Sequence, residues 1–483
     1  MNRACNLGLF KACKLPNNGP LISHFCYADD VIFIGEWTNH NISTLNRLLR
    51  WLHLVTGLKV NRQKSKVFGI GVSEAEIGDF AALARCEVGS FPFSYLGIPV
   101  GVNMKRAAYW KPVIEKFSSV LSKWKARHLP FAGRLTLPKS VLGSLPSYFL
   151  SLFAAPKCII YKLEKIRRDF LWGKSASGNK MRWLRWDFII KSIKARGMGL
   201  GSIHSFNKAM LSKWWWRFKD NPNQTWAEVI RSIHTANSVS NNSFLPIKKL
   251  IAGPWKDIFS VEKDFAKVGI NIYKKLIHNG VKWIWTNDPN GSVSVKQVRL
   301  DIEEATNSGI VEPVAYGWNS WVPPKVNYLL WKAMLGKVAS KIGLRHRGVP
   351  VHDVSCPRCG ICDEDPMHVY INYLWARSIW WSILTWMRIK FPSNIGSIED
   401  MIGYLRNQPG DVKWKKMVYA VALATVWRIW LARNDKVFNG NFIPVSKSVE
   451  LINEDTFIWI FNRSKLSSPS WGKWVDFDIV AIL

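Results

Sequence analysis

Acidic residues are scarce in this chain of 483 residues: 34 Asp and Glu stand against 67 Lys and Arg, a net charge of +33, and the first 28 residues hold no carboxylate side chain. Such an excess favours a polyanionic partner, through counterion release or direct phosphate contacts, with nucleic acid ahead of a membrane surface. Long apolar runs are also missing. Ser140–Pro156, interrupted by Pro146, and Met417–Trp427, followed by Arg428, both fall short of the ~20 residues a membrane span needs. They read as buried helices. The opening MNRACNLGLFKAC is too short and too polar for a secretory signal. The 8 cysteines therefore read as thiols of a reducing, intracellular compartment rather than a disulfide framework. Internal repeats and low-complexity tracts are absent too, which leaves ordinary globular domains.

What is present supports folding. Apolar residues make up 48% and charged residues 21%, ordinary globular values, and the length allows about two to four domains. Positive charge is concentrated in residues 104–219, which hold 25 Lys and Arg against 4 Asp and Glu. Interleaved with them are Trp110, Trp124, Tyr148, Trp172, Trp183, Trp186 and the run Trp214, Trp215, Trp216. Cations bind phosphates and aromatic faces stack on bases, so the combination suits a nucleic-acid track. The same tryptophans would equally serve as core beneath solvated lysines.

Periodicity predicts an α+β chain. Residues 21–34 read as two short strands meeting near Asp29 and Asp30. Ile42, Leu45, Leu48, Leu49, Leu52 and Val55 then recur at helical spacing, closed by Gly57. Residues 58–72 predict a basic strand–turn–strand and residues 91–101 a strand pair. From Tyr109 to Gly173 a helical stripe of Trp110, Val113, Ile114, Phe117, Val120, Leu121 and Trp124 is punctuated by Pro130, Pro138, Pro146 and Pro156. Loops are expected at 175–180, 221–224 and 238–243, and an alternating strand after the turn at Asn290-Gly291. Residues 325–338 and the region beyond 411 read as helices, the latter with Val418, Val421, Ala422, Ala424, Thr425 and Trp427 near one face.

Two constellations carry chemistry. Nucleotidyl transfer uses two divalent ions about 4 Å apart, held by hard carboxylate oxygens. A tight hairpin can present adjacent aspartates such as Asp29 and Asp30 at its tip, although an ordinary hairpin with a polar turn accounts for the same residues. Cys356, Cys359, Cys362 and His368 place three thiols and an imidazole within thirteen residues. Soft sulfur with nitrogen in tetrahedral number points to structural Zn²⁺. The alternative is reduced cysteines in a surface loop.

The neighbours of the aspartates bear on this choice. Tyr27-Ala28-Asp29-Asp30, then Gly57-Leu58-Lys59-Val60-Asn61 with Lys64-Ser65, then Tyr95-Leu96-Gly97-Ile98-Pro99 resemble, in order and spacing, the palm motifs of plant LINE-type (non-LTR) retrotransposon reverse transcriptases. The similarity continues through residues 124–151, like that family's thumb, through 195–217, like its connector, and on through the cysteine region to 426–438. The resemblance implies a truncated palm over 1–103, a helical thumb over 104–173, a basic connector over 174–310, a reverse transcriptase zinc-binding domain over 311–400 and a helical C-terminal region over 401–483. It implies Asp29 as a ligand of catalytic Mg²⁺ with Asp30 beside it, and Tyr27 beneath the primer terminus. Lys59, Asn61 and Lys64 would lie beside the incoming nucleotide, with Lys64 or Lys59 meeting the leaving pyrophosphate. Tyr95, Leu96 and Gly97 match the primer grip. Zn²⁺ would be held by Cys356, Cys359 and His368. The family's fourth ligand position is Tyr373 here, so that thiolate is lost unless Cys362 supplies it. Arg345, His346, Arg347, Arg358 and Arg377 would contact RNA.

The chain departs from the family at one point. The other essential aspartate of the metal site comes from a strand well upstream of the Tyr-Ala-Asp-Asp motif, whereas Asp29 is the first acidic residue of this chain. The expectation is a truncated RNA-directed DNA polymerase that keeps its RNA and DNA partners, touches no membrane, resides in the nucleus and does not polymerise alone. A partner chain would cover the exposed palm edge. Two alternatives are an active enzyme completed by an upstream segment or partner chain, and a transposon-derived interaction protein.

Overall fold

The computed structural model describes residues 1–123, 129–144, 146–173, 181–193, 195–234, 245–248, 250–306, 317–464, 466 and 470–478. The chain is α+β, mainly helical, with small two-stranded sheets. It divides into two compact units, one made of 1–119, 141–165 and 202–306, the other of 120–140, 166–201 and 307–483. Trp124 and the expected loops at 175–180 and 238–243 lie outside the described residues.

The first unit opens with short β elements. His24–Tyr27 and Asp30–Phe33 form an antiparallel hairpin in which Tyr27 pairs with Asp30, so Ala28 and Asp29 make a two-residue tip. Leu21–Ile22, expected within the first strand, pairs instead with Cys13–Lys14. No third strand joins the aspartate hairpin among the described residues, and its Phe25, Tyr27 and Val31 are exposed. Helix Asn39–Thr56 follows, capped by the Thr38 hydroxyl and ended by Gly57 at φ 73°. Its last turns leave Trp51, Leu54 and Val55 in solvent.

Residues 58–72 give one strand, not two. Asn61 accepts the Lys64 N–H through its side chain and receives the Ser65 hydroxyl on its carbonyl. This local bonding makes the expected turn, while residues 58–60, expected as the first strand, join no sheet among the described residues. Only Lys66–Val67 extends, pairing in parallel with Glu87–Val88 across the capped helix Glu74–Ala84. Phe93–Tyr95 and Ile98–Val100 form the expected hairpin.

The rest of this unit packs on helix Ile203–Asp220. Ser147–Leu152, Pro254–Lys267 and Val295–Thr306 lie against it, around Trp215, Phe265, Trp285 and Val298. The strand expected after Asn290-Gly291 is instead helix Val295–Thr306. Ser294 accepts the Gln297 N–H and so caps a helix there. Tryptophans expected to stack on bases prove largely structural. Trp110 is fully buried and donates to the Met104 carbonyl at 2.8 Å; Trp215 is fully buried and donates to the Ile258 carbonyl at 2.9 Å. Trp214 donates to the Ser151 carbonyl at 2.6 Å.

The second unit is built on the long helix Val412–Asn439. Asp411 caps its start by accepting the Trp414 N–H at 2.7 Å, and Gly440 at φ 75° closes its end. Every residue from Met417 to Val426 is buried, where a single apolar face was expected. A helix apolar all round belongs at the centre of a core. Val445–Arg463, Pro324–Met334, Ile398–Arg406 and Leu374–Trp386 surround it. Among the described residues no helix is long and apolar enough to cross a membrane. Pro138 lies inside helix Phe131–Ser144 rather than ending it.

Candidate metal centre and nucleic-acid surface

Local backbone bonding builds a donor set from residues 356–368. The Cys356 N–H donates to the Cys362 carbonyl at 2.7 Å, and the Gly360 N–H donates to the Cys356 carbonyl at 2.8 Å. Gly360 sits at φ 69°, where a Cβ is disfavoured, so the turn folds back tightly on Cys356. Asp365 accepts the His368 N–H at 2.7 Å and starts the turn that carries the imidazole. Cys356, Cys359 and His368 thereby bring their donor atoms within 4.8 Å of one another. The Cys359 Sγ lies 3.4 Å from His368 Nε2. Tetrahedral zinc with Zn–S near 2.3 Å and Zn–N near 2.0 Å requires a separation of about 3.5 Å. The three residues fit the ion.

The backbone also conditions the thiols. Burial pushes the Cys356 thiol up, partly opposed by N–H groups of Cys359 and Arg358. At Cys359 burial acts upward, but the N–H groups of Cys362 and Ile361 outweigh it, and the net direction is down. Amides aimed at sulfur favour thiolates, the form that binds metal. Cys362 is exposed and stands outside the donor group; its carbonyl, not its sulfur, serves the site.

Position 373 faces this centre for a geometric reason. His368–Asn372 is a π-helical turn, closed by the Tyr373 N–H donating to the His368 carbonyl at 3.0 Å. Five residues make one such turn, so the Tyr373 ring stacks on His368 at 5.3 Å. Burial pushes its hydroxyl up, opposed by the neighbouring Arg358 guanidinium. Arg358, expected at RNA, is engaged within the protein. Its guanidinium lies 3.7 Å from the Trp375 ring and 4.1 Å from the Phe442 ring, and it donates to the carbonyls of Ala432 and Ile443 at 3.3 and 2.9 Å. Arg347 is likewise committed, donating to the carbonyls of Arg182 and Trp183 at 2.6 and 2.5 Å. Arg345, His346 and Arg377 remain exposed.

One buried ion pair, which sequence reading missed, ties the metal loop to the long helix. Glu364 and Arg433 are 0% and 6% exposed in their side chains, with Nη2 2.6 Å from Oε1. The same oxygen accepts Arg433 Nε at 3.0 Å and the Lys341 N–H at 3.1 Å.

In the first unit the two expected palm hairpins share a feature. Ala28, at the aspartate tip, has φ 49°, and Leu96, at the Leu96-Gly97 tip, has φ 50°. Non-glycine residues rarely occupy this region, and such strain concentrates at functional turns. Asp29 and Asp30 are exposed at their tip, as are Tyr27, Lys59, Asn61, Lys64, Leu96 and Gly97; Tyr95 is half-buried. Among the described residues no third metal donor joins the two aspartates. On helix Ile203–Asp220, Lys213 and Arg217 lie 5.2 and 5.5 Å from the Trp214 ring. Burial first, and Arg217 second, push Lys213 down to about 8.

Residues 301–380, which include the donor triad, match the protein family described as zinc-binding in reverse transcriptase. Over these residues the chain is similar to that reverse transcriptase zinc-binding family. A protein of Arabidopsis thaliana that carries a ribonuclease H name is 30% identical over 172 residues, covering 36% of this chain and 26% of that relative. An uncharacterized mitochondrial protein of the same plant is 28% identical over 96 residues, covering 20% of the chain and 62% of the relative. The chain thus spans about a quarter of the first relative and under two thirds of the second.

Proposed function

We propose that this chain is the palm-to-zinc-domain part of a LINE-type retrotransposon reverse transcriptase, and that it holds RNA and DNA without polymerising on its own. The observation that carries the reading is the assembled triad of Cys356, Cys359 and His368 inside the segment that matches the reverse transcriptase zinc family. Zn²⁺ in that triad would be structural, fixing the 356–362 loop against the turn that bears His368. The exposed cations Arg345, His346 and Arg377 would then face phosphates from a rigid module. Palm over 1–103, thumb over 104–173 and connector over 174–310 belong to the same proposal, as does nuclear residence.

The polymerase half of the reading is narrower. Asp29 and Asp30 sit at one hairpin tip with no further donor beside them among the described residues, and two ions need carboxylates from more than one strand. Asp29 and Asp30 alone therefore do not make a two-metal site for Mg²⁺ among the described residues. The apolar Phe25, Val31, Trp51, Leu54 and Val55, exposed on the hairpin and the following helix, support a covering chain.

A primed RNA template with Mg²⁺ or Mn²⁺ and deoxynucleotides tests this half. The expected result is template retention with no primer extension, and the same outcome for Asp29→Ala. Extension by the 483-residue chain that Asp29→Ala abolishes would contradict the proposal and establish the active-enzyme alternative.

A further inference from the structure

The groove beside Trp381 is the strongest feature of the second unit that the metal centre does not use. Leu374, Arg377, Ser378, Trp381 and Ser382 form one outward strip of helix Leu374–Trp386, at the three- and four-residue spacing of a helix face. Phe391, Pro392 and Ser393 form the facing wall, and the cleft between encloses about 410 Å³. Neighbouring side chains of the helix are core: Ala376, Ile379, Trp380 and Ile383 are fully buried. Trp381 instead leaves 60% of its surface in solvent, and Leu374 leaves 76%. Phe391 braces one side of the indole, its ring 5.4 Å away and tilted by 36°.

The polar groups of the groove have a definite sense. Ser378 donates its hydroxyl proton to the Leu374 carbonyl at 3.0 Å, and Ser382 donates to the Ser378 carbonyl at 2.9 Å. Both oxygens are left as acceptors. Arg377 supplies a cation, and no carboxylate lines the cleft. Residues 366–398 contain Arg377, Arg388 and Lys390 and no Asp or Glu.

We propose that this groove is a stacking subsite for an unpaired nucleobase of single-stranded nucleic acid, with the base on the Trp381 indole and its phosphate on Arg377. The inference rests on the nucleic-acid reading above and adds a place and a preference for single strands to it. An exposed indole offers a face that any base can cover, the hydroxyl oxygens accept from exocyclic amines or a 2′-hydroxyl, and the guanidinium meets the backbone charge. An apolar peptide fits less well. It would cover Arg377 and three serine hydroxyls with nothing to match them.

The test uses the full chain and a dye-labelled single-stranded RNA of about ten nucleotides, followed by anisotropy, with a blunt duplex of the same sequence beside it. Trp381→Ala should weaken single-strand binding about tenfold, the loss expected for one stacked base, and leave duplex binding unchanged. Trp381→Phe should retain most of the affinity. Arg377→Ala should weaken binding and lower the salt slope by about one. Independently of any variant, 4-thiouridine placed in the single strand should crosslink to the peptide covering residues 374–392 of the unaltered protein. Unchanged affinity for Trp381→Ala, with no crosslink in that peptide, overturns the subsite and assigns the groove to a protein partner. If the unaltered chain binds neither single strand nor duplex at low salt, the nucleic-acid reading itself is overturned.

Discussion

Zinc content falls from about one ion per chain to none when Cys359 is replaced by Ser. The substitution removes the sulfur that the N–H groups of Cys362 and Ile361 favour toward its thiolate form, 3.4 Å from His368 Nε2. Three protein donors assemble here among the described residues, so losing one leaves two, too few for a structural site. Because binding energy of this kind is also folding energy, on the order of 10 kcal/mol in small zinc domains, the loop should open to protease at the same time. Tyr373→Cys moves the other way. The π-helical turn already stacks residue 373 on His368, so a thiol there is placed to complete the tetrahedron. Its zinc affinity should rise at least about tenfold over the unaltered chain. Metal analysis of purified protein and competition with a chromophoric chelator check both arms. Full zinc stoichiometry in Cys359→Ser would remove the triad as the site.

Arg433→Met should destabilise the second unit by about 3–5 kcal/mol, because it strands a carboxylate that the protein has fully buried. Glu364 would keep only the Lys341 N–H at 3.1 Å as a donor to Oε1. The anchored loop is the one that carries the metal donors, so zinc retention should weaken in the same variant. Pairing the change with Glu364→Leu should recover most of the loss, since two apolar side chains of similar volume replace an ion pair at little net change. Urea unfolding followed by the proteolysis of unit-specific fragments measures both proteins. A loss below about 1 kcal/mol for Arg433→Met would show that the pair does not hold the loop.

The grouping of Cys356, Cys359 and His368 was legible in the sequence because its parts are local. Cys356, Cys359 and His368 lie within one short stretch, and backbone bonds over two to six residues set their directions. The aspartate hairpin was legible for the same reason, since an apolar run on each side flanks a two-residue tip. Long-range partners were not legible. Arg433 meets Glu364 across 69 residues, and Arg358 packs between Trp375 and Phe442, so neither role follows from local spacing. Tryptophan was the least transparent residue. Trp110, Trp215 and Trp381 all stand in basic, aromatic-rich sequence, yet the first two are buried and the third is exposed. Tertiary packing alone separates them. At Asn61 the expected turn forms through its own side chain and carbonyl, and only the short strand before it is missing.

Salt-dependent binding of RNA by the full chain tests the central claim most directly. At low salt the chain should bind both a hairpin and a single-stranded RNA, and log K should fall linearly with log salt with a slope of several units, as several Lys and Arg displace counterions. Absence of binding at low salt, or an affinity that ignores salt, would contradict the account.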